Sequence, residues 1–223
     1  MMTKLLSQDS AQKAIKILIE SYPDAHYYLN FKTDIDLMVA AIISAQTRDE
    51  VVNSVTPDLF KKYRTVQDYA HADEQALIND IKRVSFAGNK AKNIRKACKM
   101  IIKTHDGKIP RAMKELTDLS GIGRKTANTI LINAYDIVEG IPVDTWVIKL
   151  AYRIGLTRSQ NPEDIEQDLM RLIDKRYWKN VAYVFKAHGH EICQSKIPIC
   201  SICMINKGMA STYCLCILLC HRF

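Results

Sequence analysis

The 223-residue chain is poor in the residues that punctuate or staple a fold: eight glycines, six prolines and 8% aromatics. That scarcity excludes collagen-like and low-complexity architectures. No stretch approaches the roughly 20 consecutive apolar residues that span a bilayer. Residues 1–8 lack the apolar run of a secretory signal, so the expectation is a cytoplasmic (nucleoid-associated) or nuclear protein that is not secreted. Period-two alternation is missing too, and with it any persuasive strand. What remains is 48% hydrophobic and 25% charged, enough to bury a core in one large domain or two small ones.

Charge is unevenly spread. Residues 82–125 carry 13 Lys and Arg against Asp106, Glu115 and Asp118, which exceeds the net +8 of the whole chain. A surplus so confined suits a polyanion, most simply the phosphate backbone of nucleic acid. A solvated helix surface accounts for the charge alone equally well.

The hydrophobic spacing is helical almost throughout. Ala11, Ile15, Leu18, Ile19 and Tyr22 mark one face after Asp9 and Ser10. Leu37 to Ala45, apolar on all sides and preceded by Asp34 and Asp36, predicts a central buried helix. Over 91–102 the buried face is Ala91, Ile94, Cys98 and Ile101, leaving Lys90, Lys92, Arg95, Lys96, Lys99 and Lys103 for the others. Further helices are expected near 73–83, 111–118, 124–135, 145–155, 163–174 and 177–189. The fold class is all-α.

Between two of these helices lies Leu119-Ser120-Gly121-Ile122-Gly123-Arg124-Lys125-Thr126-Ala127. A P-loop requires Gly before its Lys, where Arg124 stands, and a dinucleotide fingerprint requires a third Gly, where Thr126 stands. A tight glycine hairpin fits better, its second helix presenting backbone N–H groups and a positive dipole end to a phosphate. A plain turn between packed helices is the alternative. Lys125 falls in the first turn of that helix, a setting for an amine nucleophile, and Asp144 in Val143-Asp144-Thr145 stands where it caps the next helix. An amine and a carboxylate beside a phosphate clamp suggest attack on a sugar carbon of DNA, with the carboxylate stabilising developing positive charge.

The order Ser44-Ala45-Gln46-Thr47-x-Asp49, Asn89-Lys90-Ala91-Lys92-Asn93-Ile94, the glycine hairpin and Val143-Asp144-Thr145 closely resembles the endonuclease III family of helix-hairpin-helix DNA glycosylases, over about residues 10–203. The resemblance implies a two-lobed fold: a six-helix lobe at 26–136 with the hairpin at about 111–135, and a second lobe of 1–25 plus 137–223. It implies a monomer that binds damaged double-stranded DNA between the lobes, and no membrane. The activity implied is bifunctional: DNA glycosylase and DNA-(apurinic or apyrimidinic site) lyase, removing oxidised pyrimidines and cutting 3′ to the lesion. Lys125 is then the Schiff-base nucleophile and Asp144 its acidic partner. Gln46 fills the space vacated by the flipped base, and Phe86 is the wedge on the opposite strand, unless it is a core aromatic. Gly121, Gly123, Arg124 and Thr126 hold DNA at the hairpin, with Lys90 among the basic residues on backbone phosphates. A monofunctional thymine or uracil mismatch glycosylase and a non-catalytic DNA-binding module are the rivals. Trp146 departs from the His usual in the family after Asp-Thr, which bears on substrate preference; packing against the preceding helix is a simple account of it.

Six of the seven cysteines lie at or after residue 193. In a chain without a secretory signal such clustering favours a metal over disulfides. By the same resemblance Cys193, Cys200 and Cys203 match three ligands of a [4Fe-4S] cluster within the segment 193–220. Met209 stands where the fourth is expected, and Cys214 gives the shortest detour to a replacement. A zinc site, or none, is the alternative. Cys98 reads as core.

Overall fold

The computed structural model describes residues 5–208, in which every regular element is a helix. They form two compact units: Tyr28–Glu139, against the 26–136 expected, and a second unit joining the residues before that span to those after it.

In the unit Tyr28–Glu139, helix α2 (Asp34–Ser44) is central. Thr33 accepts from the Asp36 N–H, and the Asp36 carboxylate accepts from the N–H groups of Thr33 and Lys32, a reciprocal cap that fixes where the helix starts. Every residue from Ile35 to Ile43 is buried, as its apolar run requires. Truncating one of them, such as Leu37, should cost roughly 2–5 kcal/mol. Helices α3 (Asp49–Lys62), α6 (Ala87–Thr104) and α8 (Arg124–Tyr135) pack around it.

Helices α4 (Val66–His71) and α5 (Glu74–Asp80) lie on α6, and α7 (Met113–Thr117) on α8, so the unit holds seven helices rather than six. The sequence pattern missed α3 because Pro57 sits inside it, removing one ladder N–H. Burial of Val52, Val55 and Leu59 offsets that loss, and the Asn53 side chain ties α3 to the Tyr28 carbonyl (2.8 Å) and the Asn30 N–H (2.9 Å). The Tyr135 hydroxyl, donating to Asp34 at 2.9 Å, links the end of α8 to the start of α2.

The second unit contains α1 (Gln8–Ser21), α9 (Thr145–Ile154), α10 (Pro162–Leu172), α11 (Lys175–Glu191) and α12 (Met204–Gly208). Its core gathers Ile15, Leu18, Leu150, Ile165, Leu169 and Phe185, each at most 0% exposed. Asn161 caps α10 with Pro162 in its first turn, and the Leu6 N–H donates to the Gly155 carbonyl, pinning the segment before α1 to the end of α9. None of the described helices is long and apolar enough to cross a membrane.

Candidate active site

The hairpin begins where α7 ends. The Leu119 N–H bonds Leu116 and the Ile122 N–H bonds Leu119, turning the chain within four residues while both Leu119 and Ile122 stay buried. Gly121 has φ +83, and a Cβ there would stand 2.9 Å from Cβ of Asn93 on α6. Both the backbone and the packing therefore demand glycine. The Ser120 hydroxyl donates to Asn93 Oδ1 at 3.0 Å, which seats the turn on α6. Asn93 is a hairpin-positioning residue whose role its position in a basic helix did not disclose.

Gly123 differs. Its backbone (φ −95, ψ 177) suits any residue, and a Cβ there would meet nothing within 4 Å. It is the N-cap of α8 and, being glycine, brings no side chain to accept from that helix start. The fold does not need this glycine; what its bareness provides is access to the first-turn N–H groups. Arg124 and Thr126 are half-buried beside it, and Lys125 is exposed.

Asp144 caps α9. Its Oδ1 accepts from the N–H groups of Trp146 and Val147, both at 2.9 Å, so the carboxylate is anchored by one edge. Trp146 packs on α11. A Cβ on Gly189 would come within 2.2 Å of the indole, and the His190 ring lies 4.8 Å from it. The Lys149 ammonium covers the indole at 4.8 Å, and burial lowers that lysine's pKa.

Gln46 and Phe86 both hold left-handed backbones, at φ 53 and 56. Phe86 is 63% exposed, which removes the core-aromatic reading. Lys90 requires a correction. Expected on an outer face of α6 and on DNA phosphates, it is 5% exposed, and its ammonium donates to the carbonyls of Ile43 (2.7 Å) and Ala45 (2.6 Å) and to Thr47 Oγ1 (2.9 Å). Those bonds use all three ammonium protons. The carbonyls at the end of α2 favour its charge while burial lowers its pKa to about 8. Lys82, Arg83, Lys92, Lys96 and Lys99 remain exposed, and Arg95 pairs with Glu74.

Cys193 and Cys203 are buried in the core of the second unit, and Cys200 packs against it. Arg153 of α9 donates to the carbonyls of Cys193, Gln194 and Ser195 and to Cys193 Sγ, tying this segment to the helix. Cys203 Sγ lies 3.6 Å from Nε2 of His188, whose Nδ1 is 3.1 Å from the Tyr22 hydroxyl; burial lowers the His188 pKa to about 4. Among the described residues no three His, Cys, Asp or Glu groups stand close enough to share one ion. Cys193, Cys200 and Cys203 bring three thiols to one core, a donor set of the kind that holds either an iron–sulfur cluster or zinc. Met209 and Cys214 lie outside the described residues. Cys98 is fully buried in its helix, and burial pushes its thiol up to about 12.

A glycine-built turn between two helices, an uncapped helix start behind it and an amine in the first turn together define the helix-hairpin-helix class. The family profile described as HhH-GPD superfamily base excision DNA repair protein matches residues 39–175. Endonuclease III of Synechocystis sp. is 42% identical over 195 residues, covering 87% of this chain and 89% of that protein. A trapped endonuclease III–DNA covalent intermediate superposes with a TM-score of 0.87 at 33% identity, covering 93% of this chain and 98% of that one. A thermostable thymine-DNA glycosylase, 16% identical with a TM-score of 0.81, shares the fold. The chain thus belongs to the HhH-GPD superfamily of base excision DNA repair proteins and, within it, to the endonuclease III family.

Proposed function

We propose that this protein is a bifunctional DNA glycosylase and abasic-site lyase that excises oxidised pyrimidines from duplex DNA. The observation that carries this reading is the exposed Lys125 in the first turn of α8, next to a helix start that Gly123 leaves without a cap. A phosphate accepting from those N–H groups holds the strand without reading its sequence. Exposed basic residues of 82–125 add phosphate contacts, so affinity falls steeply with salt.

The glycosidic bond is out of reach inside the stack, so the damaged nucleotide is flipped out. Gln46 occupies the vacated space, and Phe86 wedges the opposite strand. The neutral Lys125 amine attacks C1′, the N–C bond forms, and the glycosidic bond breaks with its electron pair leaving on the base, which takes up a proton. Asp144 stabilises the positive charge developing on the sugar. Ring opening gives an iminium, a C2′ proton is lost, and the 3′ phosphate departs with the C3′–O bond electrons. Water then releases Lys125.

Cys193, Cys200 and Cys203, with Cys214 as fourth ligand, would hold a [4Fe-4S] cluster, whose contribution is to cross-tie this segment of the second unit. The setting that suits these activities is the cytoplasm, at the nucleoid, or the nucleus.

Borohydride reduction on DNA carrying thymine glycol or an abasic site tests the reading. It should fix a protein–DNA adduct in the wild type and none in Lys125→Ala. Base release without an adduct would instead identify a monofunctional glycosylase.

A further inference from the structure

Gln46 and Phe86 belong to separate loops, yet each adopts a left-handed backbone without being glycine. Such conformations persist only where the surroundings fix them. One side chain touches the surroundings of both. Taking the lesion-handling roles of these two residues from the proposed function, we infer that the buried ammonium of Lys90 is their shared support. It is a positioning residue for base extrusion and not a DNA ligand.

The bonds run on both sides of each loop residue. Ala45 and Thr47, which flank Gln46, are both held by the Lys90 ammonium, through the Ala45 carbonyl at 2.6 Å and Thr47 Oγ1 at 2.9 Å. The same Thr47 oxygen accepts from the N–H of Ser85 at 3.1 Å, fixing the residue before Phe86. The carbonyl of Phe86 itself accepts from the Lys90 backbone N–H at 3.1 Å, and no side chain caps α6 there. That backbone bond belongs to the first turn of α6 whatever the side chain; the ammonium itself reaches Phe86 through Thr47 Oγ1 and the Ser85 N–H, and Gln46 through the same Thr47 and the Ala45 carbonyl. A cation fits because the last carbonyls of α2 lack helical partners and lie at its negative end. An apolar side chain of equal length would fill the space and release both loops.

The test uses duplex DNA with 2-aminopurine opposite the lesion, whose fluorescence rises when it is unstacked. Gln46→Ala and Phe86→Ala should each reduce that rise; if neither does, the assignment of these two residues fails, whatever Lys90 does. Lys90→Met should reduce it too and slow single-turnover base release by roughly ten- to a hundredfold. Its salt slope of DNA affinity should stay at the wild-type value, because no phosphate contact is lost. Thr47→Val, which deletes only the hydroxyl bridge, gives the same test if Lys90→Met does not fold: faster exchange of the Ser85 amide with a reduced fluorescence rise is expected. Wild-type fluorescence in both variants, or in Thr47→Val alone when Lys90→Met cannot be made, would overturn the inference. So would a fall of about one in the salt slope of Lys90→Met, the signature of a lost phosphate contact.

Discussion

Helices α8 and α9 begin in opposite ways. At α8 the cap is Gly123, which has no side chain to accept from the helix start, and a Cβ would meet empty space; at α9 Asp144 occupies the same position and takes two N–H groups on one oxygen. A bare helix start invites an anion from outside, and a plugged one holds its own anion in place. On the proposed function, one backbone device would serve as a clamp for DNA in one unit and as the mount for a catalytic carboxylate in the other.

The largest expected effect separates the two duties of Asp144. Asn caps helices as well as Asp does, so Asp144→Asn should leave the melting temperature near wild type. Its single-turnover rate should fall about 10²–10³-fold for want of the negative charge. A variant that loses stability but keeps its rate would reduce Asp144 to a cap.

Next in size, the two units should answer acid differently. His188 is buried and its pKa is lowered to about 4 from the usual 6.5, whereas His71 and His105 of the other unit are not buried. Between those two values the unfolded chain binds a proton that the folded chain refuses, so stability is whole above 6.5 and falls as pH drops toward 4. At pH 5 the loss is roughly 2 kcal/mol. Both tryptophans, Trp146 and Trp178, lie in the unit of His188. Urea unfolding followed by their fluorescence at pH 7.5 and pH 5 should show the loss, with a shallower pH dependence in His188→Gln.

The smallest effect moves the plug. Gly123→Asp should install at α8 the cap that α9 already has, stabilising the protein by a few tenths of a kcal/mol. DNA affinity should weaken by about tenfold, because the carboxylate competes with the phosphate. Denaturation and equilibrium binding must change in opposite directions; unchanged binding would mean the α8 entrance does not hold DNA.

Both helix entrances were legible in the sequence because their signals are local. Gly121 and Gly123 around an apolar residue mark a hairpin, Asp144 before Thr145 marks a cap, and neither needs a distant partner to be recognised. The long apolar run of α2 was equally plain, and α3 was hidden by Pro57. Phe86 and Gln46 gave no sign of left-handed backbones, since neither is glycine. Lys90 looked like its neighbours in a basic helix, because the carbonyls and hydroxyl that hold it come from residues 43–47. Trp146 likewise depends on Gly189, whose missing side chain makes the room it occupies on α11. Local chemistry was readable, and tertiary partnership was not.

The central claim is that the amine at the bare entrance of α8 is the group that bonds to deoxyribose. Peptide mapping by mass spectrometry of the borohydride-fixed adduct on abasic-site DNA tests it most directly. The account predicts that the sugar remnant is carried by Lys125. A remnant on another lysine or on the N-terminal amine, at wild-type yield, would contradict it.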